Sequence, residues 1–236
     1  MAAALSTAIV MFASGCVSVA PPVRMGQYGA PGRMDAGMVE AGGGVDLYGL
    51  ALSGGPSLGY GITQKVSVEA GAEVAEGERA IGWAGARYTP LHPDGRRFAL
   101  TLDLEGGAGA GVGGRRCDDE GCDDDAADFR RPAGGGYLGV GLGGKLAWFS
   151  PWLRLRTQVS VAEEIPVTST TTAMAGLQFS IAEVAHIYVS SGGYLIANRE
   201  LTRLGWFVVD GGLSFTIATP RTRRMRAERA QRAARE

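Results

Sequence analysis

A closely spaced cysteine pair, two histidines and a set of alternating charges are the features of this chain that chemistry could use. Cys117 and Cys122 bracket Asp118, Asp119, Glu120 and Gly121, and Asp123, Asp124 and Asp125 follow directly. In an oxidising, exported compartment such a pair is expected to close a small-loop disulfide. The carboxylates have the chemistry of a divalent-cation site, since hard cations take several oxygens. The run does not match an EF-hand loop, however, and like-charge runs are ordinarily solvated, so neither a metal nor another cofactor is expected. Arg115, Arg116, Arg130 and Arg131 flank the acids and can pair with them at an exposed site.

The histidines, His92 and His186, fall in an expected turn and at the start of an expected strand. Neither lies near a serine or carboxylate pattern, so no catalytic residue is assigned and no enzyme activity is expected. The stretch Gly106 to Gly114 contains Gly-x-Gly fragments but opens no helix, which fails the structural condition for a dinucleotide site. The remaining charges, among them Asp103, Glu105, Arg154, Arg156 and Asp210, recur at every second position of otherwise apolar segments.

That spacing points to strands. Val66, Val68, Ala70, Ala72 and Val74 alternate with Ser67, Glu69, Gly71 and Glu73; Leu153, Leu155, Thr157, Val159 and Val161 alternate with Arg154, Arg156, Gln158 and Ser160. Period 2 puts one set on each face of a sheet and fits no helix. Ten strands are expected, at about 38–49, 54–62, 66–76, 79–89, 97–112, 135–149, 152–162, 169–181, 185–196 and 204–217, with eight as the alternative count. Most approach the ~9–11 residues that a tilted strand needs to cross hydrocarbon. Links after even-numbered strands are tight, around Thr63-Gln64-Lys65, His92 to Gly95, Ser150-Pro151 and Ala182-Glu183. Those after odd-numbered strands are Ala51 to Ser53 and Gly77-Glu78, both short, then the long acidic segment Gly113 to Ala133, Glu163 to Thr168 and Asn198 to Arg203. Short turns on one side and longer loops on the other are the signature of a transmembrane barrel.

Composition agrees. The 38 glycines follow no collagen period and sit inside apolar stretches. Mean hydropathy is +0.04, and no segment after the N-terminus supplies the ~20 apolar residues of a spanning helix. A net charge of -1 gives no field that would draw the chain to nucleic acid. The fold class expected is therefore all-β: a closed, antiparallel, up-and-down transmembrane barrel, apolar outside. Trp83, Trp148, Trp152, Trp206, Tyr48, Tyr88 and Tyr194 are candidates for its aromatic girdles. A lipocalin-like barrel with an apolar interior is the structural alternative.

Two resemblances add to this. Ala2 to Ala13 form a short apolar run with the shape of a secretory signal. The segment Ala13-Ser14-Gly15-Cys16 resembles the lipobox of bacterial lipoproteins, which implies cleavage before Cys16 and acylation of its thiol. Val17 follows where an aspartate would hold an enterobacterial lipoprotein at the inner membrane, so outer-membrane delivery is implied. The phrases Gly59-Tyr60-Gly61-Ile62-Thr63-Gln64-Lys65 and Gly211-Gly212-Leu213-Ser214-Phe215-Thr216-Ile217 resemble those of small OmpA-like and OmpX-like outer-membrane barrels.

The expected organisation is a signal peptide at 1–15, a flexible lipid-anchored tether at 16–37, a barrel at 38–219 and a basic periplasmic tail at 220–236, with both termini periplasmic. The protein is expected to be a monomer in outer-membrane lipid, its tail within reach of cell-wall polymer. Three functions follow: a structural or narrow-pore barrel, a lipid-anchored binder of an apolar ligand, or an outer-membrane hydrolase. The inward set of the first comprises Glu40, Asp46, Glu69, Glu73, Arg87, Asp103, Glu105, Lys145, Arg154, Arg156 and Asp210. Arg154 and Arg156 would pair with Asp103, Glu105 or Asp210, because charges so confined are costly unless paired. Gly139, Gly141, Gly143 and Gly212 would leave room for water or a slim solute.

Overall fold

The computed structural model describes residues 18–26, 29–30, 32, 34–48, 51–75, 79–91, 98–113, 117–118, 121–122, 131–146, 148–181, 184–220 and 222. In chain order the strands are β1 (Met38–Tyr48), β2 (Ala51–Gly61), β3 (Val66–Ala75), β4 (Arg79–Leu91), β5 (Phe98–Gly113), β6 (Cys117–Asp118), β7 (Gly121–Cys122), β8 (Pro132–Leu146), β9 (Phe149–Ala162), β10 (Ile165–Ile181), β11 (Ala185–Ala197) and β12 (Thr202–Ala218). All except β6 and β7 belong to one closed barrel of ten strands, each paired antiparallel with its neighbours. Closure is made by β1 against β12, in register from Met38↔Ala218 to Tyr48↔Val208. No edge is left, the condition hydrocarbon imposes on a sheet whose backbone groups have no water to bond. Among the described residues no helix is long and apolar enough to cross a membrane.

Period 2 in the sequence becomes inside and outside in the barrel. Along β9, Trp152, Arg154, Arg156, Gln158 and Ser160 are buried, while Leu153, Leu155, Val159 and Val161 stand exposed. Val68 on β3, Leu100 and Leu104 on β5, and Leu213, Phe215 and Ile217 on β12 are likewise exposed. The wall is therefore apolar outward and polar inward, the reverse of a lipocalin, so the apolar-interior alternative does not hold.

Three local features differ from the sequence expectation. The turn placed at Ser150-Pro151 falls earlier, because β9 begins at Phe149 and Pro151 sits within it. Proline has no N–H to donate, and the β8–β9 register accordingly passes from Gly143↔Trp152 to Leu146↔Phe149 with no pair between them. In β12, Gly192↔Val208 is followed by Tyr194↔Gly205, a bulge that turns Trp206 and Phe207 outward together. Inside the longest link, β6 and β7 form a short hairpin in which Cys117 and Cys122 are direct register partners.

The barrel has two distinct mouths. Residues 62–65, 92–97, 147–148 and 182–184 link strands at one, where Met38 also enters β1. Residues 49–50, 76–78, 114–131, 163–164 and 198–201 link strands at the other, where 114–131 alone is long. These are the short-turn mouth and the long-loop mouth.

Candidate functional site

The lumen collects nearly every buried polar side chain of the wall. Asp103 and Glu105 on β5, Arg154, Arg156, Gln158 and Ser160 on β9, and Thr168, Thr170 and Thr172 on β10 are at most 3% exposed. Such a concentration costs several kcal/mol per unpaired ion, so each charge must find a partner inside.

Part of the partnership comes from a segment that the sequence had suggested was a flexible tether. The described residues between Ser18 and Asp35 are bonded to the barrel at points from one mouth to the other. Beside the short-turn mouth, Asp35 O accepts from Met38 N at 3.0 Å, and Gly37 N donates to Gly61 O. Deeper in, Ala30 N donates to Gln178 Oε1 at 2.8 Å. At mid-barrel the Glu73 carboxylate accepts from Met25 N and Gly26 N. Arg24 N donates to Gln158 Oε1 at 2.8 Å, while Gln158 Nε2 returns a bond to Arg24 O at 2.6 Å. Further along, Ala20 N donates to Thr168 Oγ1, and Ser160 Oγ to Ala20 O. Near the long-loop mouth, Ser18 O accepts from Asn198 Nδ2 at 2.8 Å. An extended chain has no partners of its own for its amides, and the inward side chains of the wall supply them.

Arg24 is the hinge of this arrangement. It is wholly buried, 2.5 Å from Glu69 and 3.8 Å from Glu105, and its guanidinium lies 3.9 Å from the Trp83 ring centroid. Arg87 joins Glu69, Asp103 and Glu105 at 3.1, 3.5 and 3.8 Å. Arg154 pairs with Asp103 at 3.1 Å and Arg156 with Glu105 at 2.7 Å. Asp210 does not join them. It accepts from Tyr188 and Ser190 and faces Asp46 across the β1–β12 seam, while Arg79 bridges nearby Ser53 and Glu73. Lys145 shares the inward register but is exposed at the end of β8.

Val23 sits in the apolar part of the lumen with Ile81, Trp83 and Tyr137. Two wall glycines make the seat. A Cβ on Gly109 would come within 2.6 Å of Val23 Cγ1, and one on Gly135 within 3.0 Å of Val23 Cγ2. The space expected over Gly139 and Gly212 is filled by the Glu105 carboxylate and the Tyr188 hydroxyl. A cavity of about 30 Å³ between wall and segment, beside Glu40, Arg87 and Tyr188, has room for roughly one water.

His186 bridges two hydroxyls, Ser180 Oγ at 2.9 Å from Nδ1 and Thr216 Oγ1 at 3.1 Å from Nε2. Among the described residues these two hydroxyls are the side-chain partners of its ring nitrogens. Among the described residues no group of three or more His, Cys, Asp or Glu is arranged to hold a metal ion. Of the expected girdle residues, Trp83, Trp152 and Tyr194 are buried inward. Trp148, stacked at 5.7 Å on Phe179, and Tyr88 face out near the short-turn mouth, and Trp206 faces out toward the other. Cys16, His92 and the tail beyond Thr222 lie outside the described residues.

No protein-family model matches the chain, and no curated protein matches it by sequence. Solved structures are similar at low identity. The N-terminal β-barrel domain of Pseudomonas aeruginosa OprF shares 14% identity at a TM-score of 0.39, covering 78% of this chain and 100% of that one. The outer membrane protease OmpT from Escherichia coli shares 10% at 0.33, covering 77% and 94%. A bacterial polysaccharide outer membrane secretin shares 8% at 0.28, covering 78% and 99%. The assignment of this chain as a closed antiparallel barrel rests on the pairing of its own ten strands.

Proposed function

We propose that this chain is a monomeric, lipid-anchored barrel of the bacterial outer membrane with a structural role, its lumen closed by its own N-terminal segment, and that it is not an enzyme. The observation that carries this reading is the segment whose described residues lie between Ser18 and Asp35: the backbone amides of Ala20, Arg24, Met25, Gly26 and Ala30 and the Arg24 guanidinium are bonded to the wall inside the bore. A segment bonded across the bore at these points supports a closed lumen. The exposed apolar face of the wall supports immersion in lipid, because a soluble monomer rarely exposes so much contiguous apolar surface. The Ala13-Ser14-Gly15-Cys16 segment supports acylation at Cys16.

Bilayer recording on the purified full chain tests the closed lumen. The expected result is no stable, porin-sized conductance step, and regular steps of that size would overturn the reading. Mass spectrometry of the mature N-terminus tests the anchor: an acylated Cys16 is expected, and an unmodified cysteine or a cut elsewhere would remove lipidation from the proposal.

A further inference from the structure

The direction in which residues 18–35 cross the barrel has a topological consequence. A lipid anchor tethering the chain from the periplasmic leaflet would leave this segment at the short-turn mouth, beside the start of β1. Instead the segment enters there and ends at the opposite rim. Asp35 bonds to Met38 at the short-turn mouth, whereas Ser18 O accepts from Asn198 in the link between β11 and β12. That link shares its mouth with residues 114–131, the longest connection between barrel strands. Transmembrane barrels carry their long loops outside the cell and their short turns in the periplasm.

The C-terminal end of the barrel is at the other mouth: Thr219 N donates to Gly37 O, and Thr222 Oγ1 to Ala36 O. Ser18 and Thr222 therefore lie at opposite ends of the barrel. Cys16 precedes Ser18 by two residues, and covalent geometry holds its Cα within about 7 Å of that of Ser18.

We infer that the N-terminus of the mature chain is displayed at the long-loop mouth, on the outer face of the membrane. An acyl group on Cys16 would then enter the outer leaflet. The leaflet assignment rests on the lipid anchor proposed above; the threading and display do not. The interior contacts explain how the thread is held. Its amides have partners at three depths, on Thr168, Gln158 and Glu73, so withdrawing it would leave buried polar groups on both chain and wall unsatisfied.

The test uses the full chain in a bacterial host, with a short epitope inserted between Val17 and Ser18, in a second version after Glu236, and in a third within residues 123–130. Antibody is applied to intact and to permeabilised cells. The inference expects the N-terminal and loop epitopes to give the same signal before and after permeabilisation, and the C-terminal one to be seen only afterwards. An N-terminal epitope reached only after permeabilisation would overturn it.

Because an insertion can disturb threading, a second measurement uses cysteine pairs in a chain carrying Cys117→Ser and Cys122→Ser. A short bifunctional maleimide should join Ser18→Cys to Asn198→Cys and leave Ser18→Cys unjoined to Thr222→Cys; the reverse pattern would overturn the threading. Labelling with an alkyne fatty acid, compared with Cys16→Ala, separates the two ideas. Display without label removes the anchor and keeps the thread, whereas label with an inaccessible N-terminal epitope keeps the anchor and removes the display.

Discussion

Arg24 shows how much a single buried residue can decide in a charged lumen. Seven acids and four bases were expected to face inward from the strands: Glu40, Asp46, Glu69, Glu73, Asp103, Glu105 and Asp210 against Arg87, Lys145, Arg154 and Arg156. That imbalance was the available signal that cations were still to come. The structure supplies Arg79 from β4 and Arg24 from the threaded segment. Removing one partner of a buried pair leaves an uncompensated charge, at a cost of ~3–5 kcal/mol. Arg24→Ala should lower the unfolding free energy in detergent by up to that amount, since Glu69 keeps Arg87, and combining it with Glu69→Gln should cost less than the two single losses added. Strict additivity would mean that the two side chains are not coupled. Arg154→Ala with Arg156→Ala should also reduce thermal stability, because Asp103 and Glu105 would be left to Arg87 and Arg24; an unchanged melting temperature would count against those pairings.

At the scale of elements, the strands were legible because burial on one face and lipid on the other impose strict alternation, and the ten segments stand within a few residues of their expected places. The turn at Ser150-Pro151 was misplaced because proline usually breaks a ladder, and the sequence does not show that β9 tolerates it with a gap in pairing. Residues 18–35 were misread for a related reason. Pro21, Pro22 and the glycines around them favour an extended chain, and extension suits a solvated linker and a thread through a bore equally well. The seat of Val23 separates the two. Val23→Asp would put a charge against Ile81, Trp83 and Tyr137 while leaving the wall unaltered. It should loosen the segment, so that proteolysis of the N-terminal region and conductance in bilayers both rise while heat-modifiable mobility persists. If neither moved, Val23 would not be holding the thread. In the β6–β7 hairpin the backbones of Cys117 and Cys122 are register partners. Alkylation of exported protein is expected to find no free thiol at either position until a reductant is added.

For the molecule as a whole, closure and the direction of its faces predict behaviour in bulk. A barrel with all strand edges paired should sediment with outer membrane and change gel mobility on heating, since detergent alone does not open a closed ladder; recovery as a freely soluble monomer would contradict this. What the sequence by itself determined was the wall. Alternation at period 2, strand length and the spacing of the links depend only on neighbours along the chain, and they specify an antiparallel barrel with one apolar and one polar face. Burial in the folded wall shows that the polar face is the inner one. What only the tertiary structure decided was the contents of the lumen and the choice of partners. Arg154 and Arg156 take Asp103 and Glu105 because β5, β8 and β9 are successive in the wall, whereas Asp210 lies on the seam between β11 and β1. Arg24 meets Glu69 across 45 residues of sequence, in a bore that exists only once β1 has closed on β12. Contacts made across an enclosed volume have no period along the chain, so no local pattern in the sequence records them.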